Sequence, residues 1–337
     1  MKCLKWIAAI FLCACVPAFA QSESGLQQTL VSAFQNFDLS HDQSAPFQLD
    51  VDVAVQFAKP LRGHLRLEWE AENRWRREIS VGDFKQLEIR NDNWRYTVRN
   101  TNFTPARIQQ LVELLGLNRI NRSWIAPKEK DRTVHGVEER CIEAEPMIDA
   151  GDKKTGKFPV HKVCLSALSN DILSDEWHEG EDEVHRKEFD GYVAFASHRY
   201  PRKLELLVDG TAVITAEVVG LGAATFSESL FAPPPGAIAR RDCDDMKQPV
   251  LLNSPELDMP PAARERGGGQ LAVSMTIGLD GVPSNIQLSG SSGIPLDAAT
   301  LRILNSYRFK PAMCGTEPVV SDISVELGFS VSPSSDW

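Results

Sequence analysis

The sequence predicts an α+β protein in two parts: a curved antiparallel β-sheet wrapped on helices as a half-barrel, then a small ββαβ domain. Three observations predict it. From Phe47 onward apolar and polar residues alternate with period two over long stretches, the pattern of antiparallel strands with one dry and one wet face. A few segments change to the i, i+3, i+4, i+7 spacing of helices packed on a sheet. The run Pro233-Pro234-Pro235-Gly236 then interrupts the pattern, and the boundary is placed near Arg240. The expected divisions are 1–20, 21–240 and 241–337, and 337 residues suffice for two cores.

The first division is a secretory signal. Lys2 and Lys5 form a basic start, Trp6 to Val16 an apolar run, and Ala18-Phe19-Ala20 a small-x-small cleavage site ahead of Gln21. The apolar run is short for a membrane span. Export to the periplasm is therefore expected, with an uncleaved signal as inner-membrane anchor left open. No other stretch is apolar enough to cross a bilayer. Losing two lysines and no acid takes the formal charge from −10 to −12, which disfavours nucleic acid and anionic lipid surfaces. Hydrophobic residues at 42% and aromatics at 8% mark a folded chain rather than a disordered one.

The exported part keeps Cys141, Cys164, Cys243 and Cys314, which allow three pairings. Cys141 with Cys164 is favoured, because each lies in an alternating run on either side of a loop; Cys243 with Cys314 follows. Disulfides suit an oxidising compartment. No close Cys-x-x-Cys pair suggests zinc, so no metal is expected.

Along the sheet domain, Leu26, Leu30, Val31 and Phe34 share a helix face. Phe47 to Phe57 is a strand, and Leu61 to Trp69 a second after Pro60. Trp75 to Val81, Phe84 to Ile89 and Trp94 to Val98 continue the series, divided by the turn-forming pieces Gly82-Asp83 and Asn91-Asp92-Asn93. A helix is expected with Thr104 as cap, Pro105 at its first position, and Gly116 as stop; Ile108, Leu111, Val112 and Leu115 form its apolar stripe. Strands resume around Cys141 and Cys164, then at Glu188 to Ala196, Lys203 to Val208 and Ala212 to Val219. The run Gly63 through Trp69, with Arg74-Trp75-Arg76, Trp94-Arg95-Tyr96, Phe189-Asp190-Gly191 and Tyr200-Pro201, resembles the LolA-like group of periplasmic lipoprotein carriers. That resemblance implies a concave apolar face able to take an acyl chain if the helices leave it open.

In the last division Met259-Pro260-Pro261-Ala262-Ala263-Arg264 precedes Gly267-Gly268-Gly269, read as a hinge, and a strand over Gln270 to Leu279. Asp280-Gly281 is a hairpin turn, and Val282 to Ser289 returns. A helix starts at Leu296-Asp297, with Asp297 as its cap, and ends at Tyr307-Arg308-Phe309-Lys310-Pro311. Gly315 to Val319 leads to a last strand from Ser321 to Phe329. This order of motifs resembles the TonB C-terminal domain family, with Met259 and Tyr307 where the family usually has tyrosine and tryptophan. The resemblance implies that an edge strand pairs with a short extended peptide of an outer-membrane receptor. The residues assigned to that edge are Ser321, Ile323, Ser324, Val325, Leu327 and Phe329.

Other motifs carry no chemistry. His178 to His185 reads as a solvated acidic loop, because its spacing is not the His-Glu-x-x-His arrangement. Ser291-Ser292-Gly293 lacks a nucleophile elbow, and Trp69, Trp75 and Trp94 read as packing. No enzyme, cofactor or metal is expected. A long Pro-rich spacer is missing and a globular domain stands in its place, which favours binding over force transmission. The expected function is a periplasmic TonB-like receptor-peptide binder linked to transport across the outer membrane. The alternative is an envelope carrier or sensor holding lipid or lipoprotein in the first domain; a homodimer is also open.

Overall fold

Alternation over Phe47–Gln56 makes the first strand, and its neighbours repeat the pattern until a single wide sheet results. In the computed structural model the residues described are 23–40, 45–117, 122–134, 137–148, 159–179, 183–241, 243, 246–253, 268–288 and 294–330. The signal segment, Ser291-Ser292-Gly293 and Met259 to Arg264 lie outside them. The first fifteen strands are Phe47–Gln56 (β1), Pro60–Ala71 (β2), Arg74–Val81 (β3), Phe84–Asn91 (β4) and Trp94–Arg99 (β5); Arg122–Val134 (β6), Val137–Ile148 (β7), His161–Ser166 (β8), Ile172–Glu179 (β9) and Glu183–Asp190 (β10); and Val193–Phe195 (β11), His198–Tyr200 (β12), Lys203–Val208 (β13), Thr211–Ala223 (β14) and Ile238–Arg241 (β15). All but the β11–β12 hairpin join one sheet, ordered β15-β5-β4-β3-β2-β1-β14-β13-β10-β9-β8-β7-β6.

Register sets the faces. Val51 opposes Leu65 and Leu65 opposes Ile79, all buried, while Asp50 opposes Arg66 and Arg66 opposes Glu78 on the other side. The dry face curves round the helices Glu23–Phe37 (α1) and Ala106–Leu114 (α2). Leu26, Leu30, Ala33 and Phe37 of α1 and Ile108, Leu111, Val112 and Leu114 of α2 share one core with the inward residues of β1, β2, β8, β13 and β14. Tyr200, fully buried, donates to the carbonyl of Leu115 at 2.7 Å and stacks on Phe37; burial holds its phenol well above the usual range.

Several local expectations change. Thr104 does not cap α2: it donates to Gln86 at 2.6 Å, and Pro105 takes the cap position with no side-chain bond. The stop at Gly116 stands, with φ +66°. Gly116 N–H bonds Glu113 and Leu117 N–H bonds Val112, a Schellman closure, and a Cβ there would sit 2.5 Å from the Phe37 ring. The run Glu188 to Ala196 is not one strand, because Gly191 at φ +70° turns the chain between β10 and β11. His178 and His185 belong to the facing strands β9 and β10 rather than to a solvated loop, and His185 is buried.

The rest of the chain holds Val250–Asn253 (β16), Gly268–Ile277 (β17), Pro283–Leu288 (β18), the helix Ile294–Leu304 (α3), Arg308–Lys310 (β19), Ala312–Cys314 (β20), Glu317–Val319 (β21) and Ser321–Ser330 (β22). β18-β17-β22 form a three-stranded sheet; β16 pairs with β19 and β20 with β21. Val273, Met275, Ile277, Leu304 and Phe309 make a second core. Gly268 and Gly269 are paired strand residues opposite Ser330 and Phe329, not a hinge. Asp297 lies inside the first turn of α3, past the cap, because the helix already begins at Ile294. Among the described residues no helix is long and apolar enough to cross a membrane.

Candidate functional site

β22 is built by strict alternation. Ile323, Val325 and Leu327 face the second core, opposite Met275, Val273 and Leu271 of β17, while Asp322 and Ser324 oppose Thr276 and Ser274 on the other face. Hydroxyl and carboxylate contacts fix that second face: Ser324 bonds Ser274 at 2.9 Å and Thr276 donates to Asp322 at 2.7 Å. Among the described residues the last strand of the order β18-β17-β22 is an edge. Its outward N–H and C=O groups form a row suited to a further strand.

Beside that edge lies a cleft of about 330 Å³, at the lower end of the roughly 300–1,000 Å³ range of ligand pockets. Ile323, Ser324, Val325 and Leu327 border it on the strand side, and Met275, Leu304, Tyr307 and Phe309 line it from the core. The far wall is Gln248, Pro249 and Leu251. Val250, Leu251 and Leu252 are all substantially exposed, so apolar surface continues outside the cleft.

Two devices hold the cleft in shape. The hairpin between β17 and β18 turns at Gly281, whose carbonyl accepts from Phe309 N–H at 2.9 Å. Its φ is +74° and a Cβ would lie 1.7 Å from the Phe309 carbonyl oxygen, so only glycine fits. The wall is tied back by the Cys243–Cys314 disulfide and by paired backbone hydrogen bonds between Lys247 and Met313.

Of the residues assigned from sequence, Ile323, Ser324, Val325 and Leu327 come together at this cleft. Ser321 is buried at the start of β22 away from it, and the side chain of Phe329 lies outside the described residues. The reading missed the wall 248–251 and Tyr307, Leu304 and Met275 as lining. Both disulfides are present, Cys141–Cys164 across directly paired positions of β7 and β8 with Cα atoms 3.9 Å apart, and Cys243–Cys314 at 6.0 Å. Glu139 lies near Cys141 and Cys164, but the bonded sulfurs are poor ligands because a metal requires thiolates.

Residues 256–331 match the family model of the Gram-negative bacterial TonB protein C-terminal. The TonB-type segment therefore contains β17, β18, α3 and β22, while the wall 248–251 stands just before it. No curated protein matches the chain. Solved structures similar to it include a LolA superfamily protein from Nitrosomonas europaea, at 7% identity and TM-score 0.38, over 63% of this chain and 98% of that one. A domain described as an outer membrane lipoprotein-sorting protein from Vibrio parahaemolyticus is similar at 11% identity and TM-score 0.42, over 62% and 96%. A DUF1329 family protein from Desulfovibrio piger follows at 9% and 0.42, over 62% and 97%.

The inner face of the large sheet carries two polar groups of its own. Arg77 of β3 donates to Glu88 of β4, both buried. Burial pushes the Glu88 carboxyl up, but the charges of Arg77 and Arg95 and hydrogen bonds from Arg77 and Gln86 outweigh it and hold it below the usual range. Further along, His161 bonds Asp175 at 2.6 Å. Trp177 stacks on His161 and lies tilted against His185, each 5.2 Å away, with the Lys187 amine 5.3 Å from the indole. These groups bind one another and rigidify the strands β8 to β10.

Proposed function

We propose that this is a cell-envelope protein whose TonB-type segment binds an extended peptide of an outer-membrane receptor, added as a fourth strand to β18-β17-β22. One observation carries the reading: β22, an edge strand among the described residues, borders an apolar cleft lined by its own Ile323, Val325 and Leu327. Backbone hydrogen bonds then supply affinity, and alternate side chains of the peptide enter the cleft to supply selectivity. The family match supports this reading, and the lack of a long Pro-rich spacer in the sequence favours docking over force transmission. The carrier alternative needs an inner face that a lipid can reach; α1 and α2 pack on that face with Leu30, Ile108 and Leu111 fully buried, which favours the peptide reading.

The test is proline substitution along the edge. Successive residues of a strand aim their N–H groups alternately at β17 and at the free edge, so of Ser324→Pro and Val325→Pro one removes an outward donor and one a ladder bond. Titration of extended peptides from outer-membrane receptors should show binding by the wild type and none by whichever variant stays folded. Equal binding by that variant would remove edge addition as the mechanism.

A further inference from the structure

Just after β15 the described chain is fastened to the second part of the protein within a few residues. Arg240, in the edge strand β15 of the large sheet, places Nη1 2.6 Å from Oδ1 of Asp322 on β22. Arg99, on the adjacent strand β5, reaches Oδ2 of the same carboxylate at 3.4 Å. Soon after Arg240 the chain is bonded through Cys243 to Cys314, then paired through Lys247 to Met313, and then becomes the wall of the cleft. The β22 border of the cleft thus touches the rim of the large sheet through Asp322, and the wall 248–251 follows β15 in the chain, paired with β19 and preceded by the Lys247–Met313 bridge.

We infer that Asp322 is a positioning residue, and that the Arg99–Asp322–Arg240 contact latches the partner-binding strand to the large sheet so that the two halves respond to each other. An isolated surface ion pair contributes little. Here one carboxylate accepts from Arg99 and from the Thr276 hydroxyl and lies against Arg240 Nη1 in a charge contact without hydrogen-bond geometry, and the arginine side chains are only 11% and 20% exposed. Asp322 points away from the cleft, so the latch does not compete with an added strand; they share the backbone of β22. A strand already held loses less freedom when a partner is added. Latch and partner therefore favour each other, and the coupling is reciprocal. The consequence for affinity rests on the edge-addition reading; the latch itself does not.

Amide hydrogen exchange of the full-length chain, without ligand, tests the latch. Asp322→Asn and Arg240→Gln should each speed exchange in the first half of β22 and in the wall 248–251 by about fivefold, the low end of ordinary coupling. The double variant should do no more than Asp322→Asn alone, which already frees both arginines, and Asp322→Glu should keep most of the protection. Raising NaCl to about 0.5 M should move the wild type toward the variants and leave the variants where they are. Exchange at Val273 and Met275 in the core should not change, which shows that each variant remains folded. Unchanged exchange in β22, or additive effects in the double variant, would overturn the latch. A second arm titrates receptor-derived peptides: affinity about fivefold weaker in Asp322→Asn supports the coupling, and equal affinity overturns it. If the peptides bind no protein at all, edge addition fails, and exchange alone still decides the latch.

Discussion

Replacing Arg77 with methionine removes one partner of a buried ion pair and leaves the Glu88 carboxylate under the large sheet. Breaking such a pair from one side costs about 3–5 kcal/mol. Glu88 keeps the field of Arg95 and the hydrogen bond from Gln86, so the expected loss at pH 7 is near the bottom of that range, about 3 kcal/mol. The pH dependence identifies the cause. In the wild type the folded carboxyl sits below its unfolded value of about 4.3, so it contributes stability above that pH and loses it as pH falls through the folded value. Without Arg77 the folded value rises, and protonation relieves the penalty. The gap between variant and wild type should therefore narrow as pH drops from 7 to 4, by up to about 1.4 kcal/mol per unit. Urea unfolding followed by circular dichroism, disulfides intact, measures both. Arg77→Met with Glu88→Leu should recover most of the loss. A gap that stays constant from pH 7 to 4 would show that the contact of the guanidinium with the Trp75 ring, not its charge on Glu88, was lost.

Gly281→Ala should cost more than about 2 kcal/mol, because it forces both a positive φ and a Cβ against the Phe309 carbonyl; a shift in melting temperature within experimental error would contradict this. The two disulfides enclose separations of 23 and 71 residues, for which the chain-entropy estimate gives about 3 and about 4 kcal/mol. Peptide mapping without reduction should find both bonds, and paired Cys→Ser variants should melt in that order of severity. A fragment beginning at Cys243 should fold alone with its disulfide formed, since the second core draws only on later residues; a random-coil circular dichroism spectrum would place the boundary elsewhere.

The strands β1 to β5 were legible because one face is wet: Asp50, Asp52, Arg66 and Glu78 mark every second position. β6 was not, since its run Lys128-Glu129-Lys130-Asp131-Arg132 shows no apolar alternation. β15 is four residues long and gains its order from pairing with β5, which local pattern does not encode. At the site, Ile323, Val325 and Leu327 were readable as an alternating strand. The wall 248–251 was not, because pairing with β19, a disulfide and a bridge to Met313 bring it there from a distance. Asp322 gave no signal either: Arg99 lies 223 residues away in sequence. Thr104 misled because a good capping residue found a better partner in Gln86.

The most direct measurement of edge addition is amide hydrogen exchange of the full-length chain with and without a receptor-derived peptide. Pairing should protect alternate amides of β22 between Ser321 and Leu327, those aimed away from β17, and leave the inner face of the large sheet unchanged. Protection confined to the strands β8 to β10 or to α1 and α2, with none in β22, would contradict it.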